Sequence, residues 1–301
     1  MVYTVTLNPA IDCAMWLDGF EKGETNRCNS EFISVGGKGL NVSFVLKELG
    51  VESVATGFVA GFTGEAVESA LENNGIKTDF VRLSEGNTRI NVKLKEESET
   101  EINGTGPFVD EKSKQELVSK LAFLKKGDVL VLAGSLPRGI SECFYGQILE
   151  KVGDRGVLTV VDTSGKALEN VLEFNPFLIK PNLGELEEIT GEKLGTIEEI
   201  YCAAEKLKKM GTVNVLVSMG EKGAVLVDKN GKRYYSGAAK IKCVNSVGAG
   251  DSMVAGFIAG YLQTDDFEYS LKLGNAAGAA TAFSKGLAKA DDIKKLFDIR
   301  G

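Results

Sequence analysis

Short runs of β-branched and aliphatic residues recur along the chain, and most are followed by a stretch whose apolar positions repeat at helical spacing. That alternation fits a mostly parallel sheet covered by helices, because parallel neighbours need a crossover and a helix is the usual one. Strands are expected at residues 3–7, 54–59, 129–133, 157–161, 178–180 and 213–218. A first long helix is expected over 41–49, where Val42, Val45, Leu46 and Leu49 share one face and Gly50 stops it. Others are expected near 65–73, 142–152, 166–172, 183–190, 197–209, 252–262 and 267–283. Two stretches, 13–35 and 89–102, break the rhythm. In the second, Ile90, Val92 and Leu94 alternate with polar residues as in a half-exposed antiparallel strand. Read together, the two form a small β-structure at the edge of the main sheet. The expectation is one α/β domain over residues 1–301 with a discontinuous appendage from about 12–35 and 88–104.

The chain contains no histidine. Ser-His-Asp hydrolysis, Cys-His proteolysis and His-ligated zinc or haem are thereby excluded, and acid-base chemistry falls to carboxylates, lysines or thiols. Lys and Arg number 35 against 42 Asp and Glu, a net charge of −7 that repels a nucleic-acid backbone. The five cysteines, at 13, 28, 143, 202 and 243, form no C-x-x-C and read as free thiols of a reducing compartment. No apolar run approaches the ~20 residues of a bilayer span, and the first residues lack a signal-peptide pattern. A cytoplasmic location without a membrane partner is expected.

Several loops carry chemistry. Asn245-Ser-Val-Gly-Ala-Gly-Asp251 runs into an apolar helix whose first N–H groups form an anion site, and Asp251 there could take a proton from a hydroxyl or simply cap the helix. In 218–223, Ser218, Gly220 and Gly223 would let a phosphate approach the backbone, or make a hairpin turn. Lys180-Pro-Asn182-Leu-Gly-Glu185 places an amide and a carboxylate one helical turn apart, suited to magnesium through its water shell or to a capping box. Gly36-Gly-Lys-Gly-Leu-Asn41 offers N–H groups, a cation and an amide at a helix start, without being a Walker A sequence. Asp12 could accept from sugar hydroxyls or cap a turn. Arg89 sits in the odd strand, where a solvated charge is the plainer alternative, and Gly134-Ser-Leu-Pro-Arg138 adds one more cation after a buried strand. All but Arg89 lie at or just past expected strand ends, where open α/β sheets bind ligands.

As an ordered set, Thr6-Leu-Asn-Pro-Ala-Ile-Asp12, Gly36 to Asn41, Gly134-Ser-Leu-Pro137, Lys180-Pro-Asn182 with Glu185, and Val247-Gly-Ala-Gly-Asp251 resemble the ribokinase-like carbohydrate kinases of the phosphofructokinase-B branch, over nearly the whole chain. Within it, the Thr-Leu-Asn-Pro opening and Thr88-Arg-Ile-Asn-Val-Lys93 are similar to bacterial 1-phosphofructokinases, while tagatose-6-phosphate kinases share most of the same blocks. The resemblance implies a ribokinase-like three-layer sandwich with a mostly parallel central sheet and a small β lid. It implies transfer of the ATP γ-phosphoryl group, with Mg2+, to fructose 1-phosphate, giving fructose 1,6-bisphosphate and ADP, with tagatose 6-phosphate as the rival acceptor. By the same resemblance, Asp251 is the base, and the amides of Gly248, Ala249 and Gly250 stabilise charge on the moving group. Asn182 and Glu185 serve the metal and, with Lys180, the phosphates. Ser218, Gly220 and Gly223 approach ATP, and Asn275 contacts the nucleotide. Asp12, Gly37, Lys38, Asn41 and Arg89 hold the sugar phosphate, with Arg138 and Arg27 as further cations. The lid also implies a homodimer. A catalytically silent sugar-phosphate or nucleotide sensor and a dehydrogenase are the readings from other classes. The complete 248–251 block speaks against the first, and the missing G-x-G-x-x-G against the second.

Overall fold

The computed structural model describes residues 1–96, 98–153, 155–238, 244 and 246–298, so Cys243 and Asn245 lie outside the described residues. β1 (Val2–Thr6) is followed by β2 (Ala10–Trp16) and β3 (Ser30–Gly36), then by α1 (Lys38–Glu48), β4 (Ser53–Ala60) and α2 (Gly61–Asn73). The short β5 (Lys77–Thr78) and β6 (Val81–Leu83) precede β7 (Arg89–Lys95) and β8 (Glu99–Asn103). Alternation resumes with α3 (Glu111–Leu121), β9 (Val129–Ala133), α4 (Phe144–Val152), β10 (Leu158–Asp162), α5 (Gly165–Glu169) and β11 (Leu178–Ile179). After α6 (Leu183–Thr190), α7 (Ile197–Lys209) and β12 (Asn214–Ser218), the strands β13 (Ala224–Val227) and β14 (Arg233–Ser236) lead to α8 (Ala249–Thr264), α9 (Phe267–Phe283) and α10 (Ala290–Asp298).

The main sheet runs β14-β13-β12-β11-β10-β9-β1-β4-β5, with β6 also on β4. It is parallel from β12 to β5, and β13 and β14 close one edge antiparallel. Side chains alternate across a strand, so each central strand feeds two cores. In β9, Leu130 and Leu132 enter one cluster with Tyr145, Ile148 and Leu207, while Val129 and Val131 enter the other with Val42, Val254 and Phe257. Both faces are therefore covered by helices, which is the three-layer arrangement that the resemblance implies and the reason these strands read as continuous apolar runs. Among the described residues no helix is long and apolar enough to cross a membrane.

The two odd stretches do come together, in a four-stranded sheet of order β3-β2-β7-β8. Its pairing is richer than one exposed antiparallel strand: β2 is antiparallel to β3, but β7 lies parallel to β2 and antiparallel to β8. Asp12, Asn91 and Asn103 stand in one cross-strand row, and Lys93 and Glu101 in the next. These residues face the cavity described below. Ile33, Ile90 and Ile102 project from the opposite face and are 60%, 46% and 58% exposed.

Candidate active site

The carboxyl ends of β1, β9, β10, β11 and β12 open into a cavity of about 1030 Å³, roofed by β2, β7 and β8 of the small sheet. That is space for two drug-sized ligands side by side. The floor includes Thr6, Asn8, Gly134, Asp162, Lys180 and Ser218, each at or just past the end of its strand. At such a crest the backbone amides point outward and no side chain is needed to fill a core, so polar groups can gather.

Helix α8 begins one turn earlier than its apolar run suggests. Gly248 is the N-cap, at φ 81°, with no side chain capping the helix. Asp251 is therefore not an N-cap residue. It lies in the first turn, 6% exposed, and its Oδ2 accepts a hydrogen bond from Asn41 Nδ2 at 2.7 Å. Ala249 N bonds to the Ser246 carbonyl at 3.3 Å, and among the described residues the Gly250 and Asp251 amides of that turn remain available to a ligand. Burial, reinforced by the nearby Asp162 carboxylate, pushes the Asp251 carboxyl up to about 6, against the hydrogen bond from Asn41 and the charges of Lys38 and Lys180.

Asp162 is the residue the sequence reading missed. It is 1% exposed, and its Oδ1 meets Lys38 Nζ at 3.0 Å and Lys180 Nζ at 3.5 Å. Burial opposes its ionisation, yet the two ammonium groups hold its carboxyl below the ordinary range. The Lys38 ammonium is in turn held above its usual value by Asp162 despite its own burial. Lys180 passes so close to the start of α8 that a Cβ on Gly250 would sit 3.2 Å from its Nζ. Two lysines, two carboxylates and a helix start are thus wired into one unit. Among the described residues, Asp162 Oδ2 is buried without a hydrogen-bond partner.

Asn182 and Glu185 form the capping box of α6: Asn182 Oδ1 accepts from the Glu185 amide at 2.9 Å, and Glu185 Oε2 from the Asn182 amide at 2.8 Å. Both also line the cavity, as do Ser218 and Gly220. A bridge between Asn182 and Ser218 sets these two loops side by side. Gly223 does not line the cavity. Its φ of 89° and its packing under the Ser236 carbonyl, where a Cβ would collide, serve the turn from β12 to β13. Asn275 does line the cavity, with its Nδ2 directed at Ser236 and Gly237, which ties α9 to the end of β14.

At the other end, Gly36 has no room for a Cβ beside the Asp12 carboxylate, so the glycine lets β3 close on β2. Asp12 Oδ1 accepts from Asn91 Nδ2 at 2.8 Å. Arg89 is oriented by Nε donating to Asn8 O at 3.1 Å. Burial lowers the guanidinium from its usual value, and Asp12 opposes the shift. Gly37, Lys38 and Asn41 complete this end. Arg138 is exposed and outside the lining; Val109 N bonds to its carbonyl, so it serves the backbone of its loop and Ser135 lines the cavity in its place. Arg27 is likewise exposed and outside the lining.

The model of the pfkB family carbohydrate kinases matches residues 5–294. The chain belongs to that family of carbohydrate kinases. A 1-phosphofructokinase of Bacillus subtilis (strain 168) is 42% identical over 296 residues, covering 98% of this chain and 97% of that one. A tagatose-6-phosphate kinase of Staphylococcus epidermidis (strain ATCC 35984) is 37% identical and covers 99% and 97%. Among solved structures, phosphofructokinase-2 from Escherichia coli, in complex with substrates and products, superposes with a TM-score of 0.93 at 28% identity, covering 99% of each chain. In this carbohydrate kinase the cavity between the two sheets gathers most of the residues that the sequence motifs single out.

Proposed function

We propose that the chain transfers the γ-phosphoryl group of ATP to fructose 1-phosphate, giving fructose 1,6-bisphosphate and ADP. The observation that carries the reading is the Asp251 carboxylate, buried at an uncapped helix start, aimed by Asn41 and sharing one cavity with Arg89 and Lys180. A group titrating near 6 is ionised at neutral pH yet basic enough to take a proton as the acceptor oxygen begins to bond to phosphorus. The acceptor O–H proton moves to Asp251, the new O–P bond forms, and the bond from the γ-phosphorus to the ADP oxygen breaks. The amides of Gly248 to Asp251 and the Lys180 ammonium offset the charge on the moving group without covalent help. Similarity to the Bacillus subtilis protein, above that to the tagatose-6-phosphate kinase, points to fructose 1-phosphate as the acceptor.

Arg89, Asp12, Gly37, Lys38 and Asn41 hold the sugar phosphate in this scheme. Asn182, Glu185, Ser218, Gly220 and Asn275 lie toward ATP. Mg2+ fits the donor set: Asp162 and Glu185, both residues of the cavity lining, carry hard oxygen donors, and among the described residues Asp162 Oδ2 has no hydrogen-bond partner. Among the described residues no cluster of three or more His, Cys, Asp or Glu side chains cages a metal, which suits an ion held mainly by phosphates and water. When bound, it would neutralise phosphate charge. The small sheet acts as a lid that keeps water from the phosphoryl group, and its apolar outer face, carrying Ile33, Ile90 and Ile102, pairs two subunits. Sedimentation velocity separates that pair from a single chain. ATP and sugar phosphates are metabolites of the cytoplasm, where we place the enzyme.

The test is a side-by-side kcat/KM comparison of fructose 1-phosphate, fructose 6-phosphate and tagatose 6-phosphate with ATP and Mg2+, following ADP release. Fructose 1-phosphate should lead. Preference for another sugar overturns the acceptor, and no turnover of any favours the sensor. Arg89→Ala is expected to raise the KM for fructose 1-phosphate on the order of 10-fold or more and to change kcat little, because a charge-assisted contact to a phosphate exists before and during transfer. An unchanged KM would return Arg89 to a purely structural place beside Asn8.

A further inference from the structure

A sugar phosphate brings about two negative charges into the cavity, and the cations facing it are not equally free to answer them. Among the described residues four line the cavity: Lys38, Lys180, Arg89 and Lys93. Lys38 and Lys180 already share the buried Asp162 carboxylate, so part of their charge is answered before a ligand enters. Arg89 is pinned by the Asn8 carbonyl. Lys93 differs from all three. It projects from the middle of β7 into the roof, only 14% exposed, and its ion-pair partner among the described residues is Glu101 of β8, directly across the strands, at 3.6 Å. That is too long for a hydrogen bond, and Glu101 is itself 43% exposed, so the pair is weak.

The register places the pair where it can reach a ligand. Lys93 lies two residues along β7 from Asn91, a rise of about 6.8 Å, and on the same face. Asn91 in turn donates to Asp12, the residue assigned to sugar hydroxyls. A lysine on its four-carbon stem spans one such row. Across β2, its neighbour in the row is Ala14, which leaves room for the swing. A half-buried ammonium beside a loosely held carboxylate is an arrangement an incoming dianion can displace, whereas the Asp162 cluster is not.

We propose that Lys93 is a second cation for the phosphate already carried by the sugar, and that Glu101 is its counter-ion until that phosphate enters. Entry of the sugar phosphate exchanges the Glu101 carboxylate for phosphate oxygens on the Lys93 ammonium, so that the anion recruits the lid over itself. The closure is thereby made selective for phosphorylated sugars over neutral ones. This inference rests on the sugar-phosphate reading of the site.

The two partners should then respond differently, with the KM raised only by loss of Lys93, which a merely structural ion pair would not do. Lys93→Met is expected to raise the KM for fructose 1-phosphate on the order of 10-fold, with kcat within about threefold of wild type. Glu101→Gln, which breaks the same pair, is expected to lower that KM or leave it unchanged, and the double variant to match Lys93→Met. An unmoved KM in Lys93→Met, or a rise in Glu101→Gln as large as in Lys93→Met, overturns the inference while wild-type turnover leaves the proposed function standing. Absence of wild-type turnover with every sugar phosphate overturns both.

Discussion

Asp251→Asn is expected to lower kcat on the order of 100-fold or more while leaving the KM for fructose 1-phosphate within about threefold of wild type. Asparagine keeps the shape and still accepts the bond from Asn41, so binding persists, but it cannot take the acceptor proton. The same substitution is expected to stabilise the fold at neutral pH. Asp251 titrates at about 6 in the native chain against an ordinary 3.8, so the native state binds the extra proton between those values. Stability contributed by this group is therefore lost as pH rises from about 4 to about 6, at up to about 1.4 kcal/mol per pH unit. The variant lacks that loss, and its melting temperature above pH 6 should exceed wild type. A near-normal kcat would take Asp251 out of the chemistry, and a lower melting temperature would mean its burial is not strained.

Asp162→Asn should do the reverse to stability. Removing the carboxylate leaves Lys180, whose side chain is only 5% exposed, and Lys38 without their shared partner. Breaking a buried pair from one side costs on the order of 3 kcal/mol, which at this chain length lowers the melting temperature by roughly 5 °C. The charge released also acts on catalysis. Asp162 is one cause of the raised Asp251 value, and both lysines favour the ionised form, so Asp251 should titrate lower in this variant. A melting temperature equal to wild type would show that the lysines find other partners.

The crest of strand ends that forms the floor was legible because parallel strands announce themselves as apolar runs and their carboxyl ends collect Gly, Asn and Asp. Helix α9 matches its expected span of 267–283 for the same reason, a long and continuous pattern. Starts of helices were harder. α2 begins at Gly61 and α8 at Ala249, in glycine-containing segments whose low helix propensity is overruled by tertiary packing: Gly64 against Val59, Gly250 against Lys180. α3 has only Leu117, Val118 and Leu121 as large apolar residues in a highly charged stretch, so too little of it is apolar to stand out. Asp162 escaped notice because Asp-Thr-Ser-Gly after a strand reads as an ordinary turn; only the long-range approach of Lys38 and Lys180 gives it a role. Arg138 is the converse case: the expected loop does reach the cavity, through Ser135, while Arg138 itself is exposed and outside the lining. In the small sheet the alternation of β7 was visible, but not which side would be wet. The parallel pairing with β2 turns Asn91 and Lys93 to the cavity and Ile90 outward.

The single-turnover rate of phosphoryl transfer, measured between pH 5 and 8 with ATP, Mg2+ and fructose 1-phosphate all saturating, bears most directly on Asp251 as the proton acceptor. Saturation removes the ionisation of the free sugar phosphate from the profile. The rate should fall about tenfold per unit below a value near 6, and in Asp162→Asn that limb should move to lower pH. A wild-type rate constant from pH 5 to 8, or a limb that Asp162→Asn does not move, would contradict it.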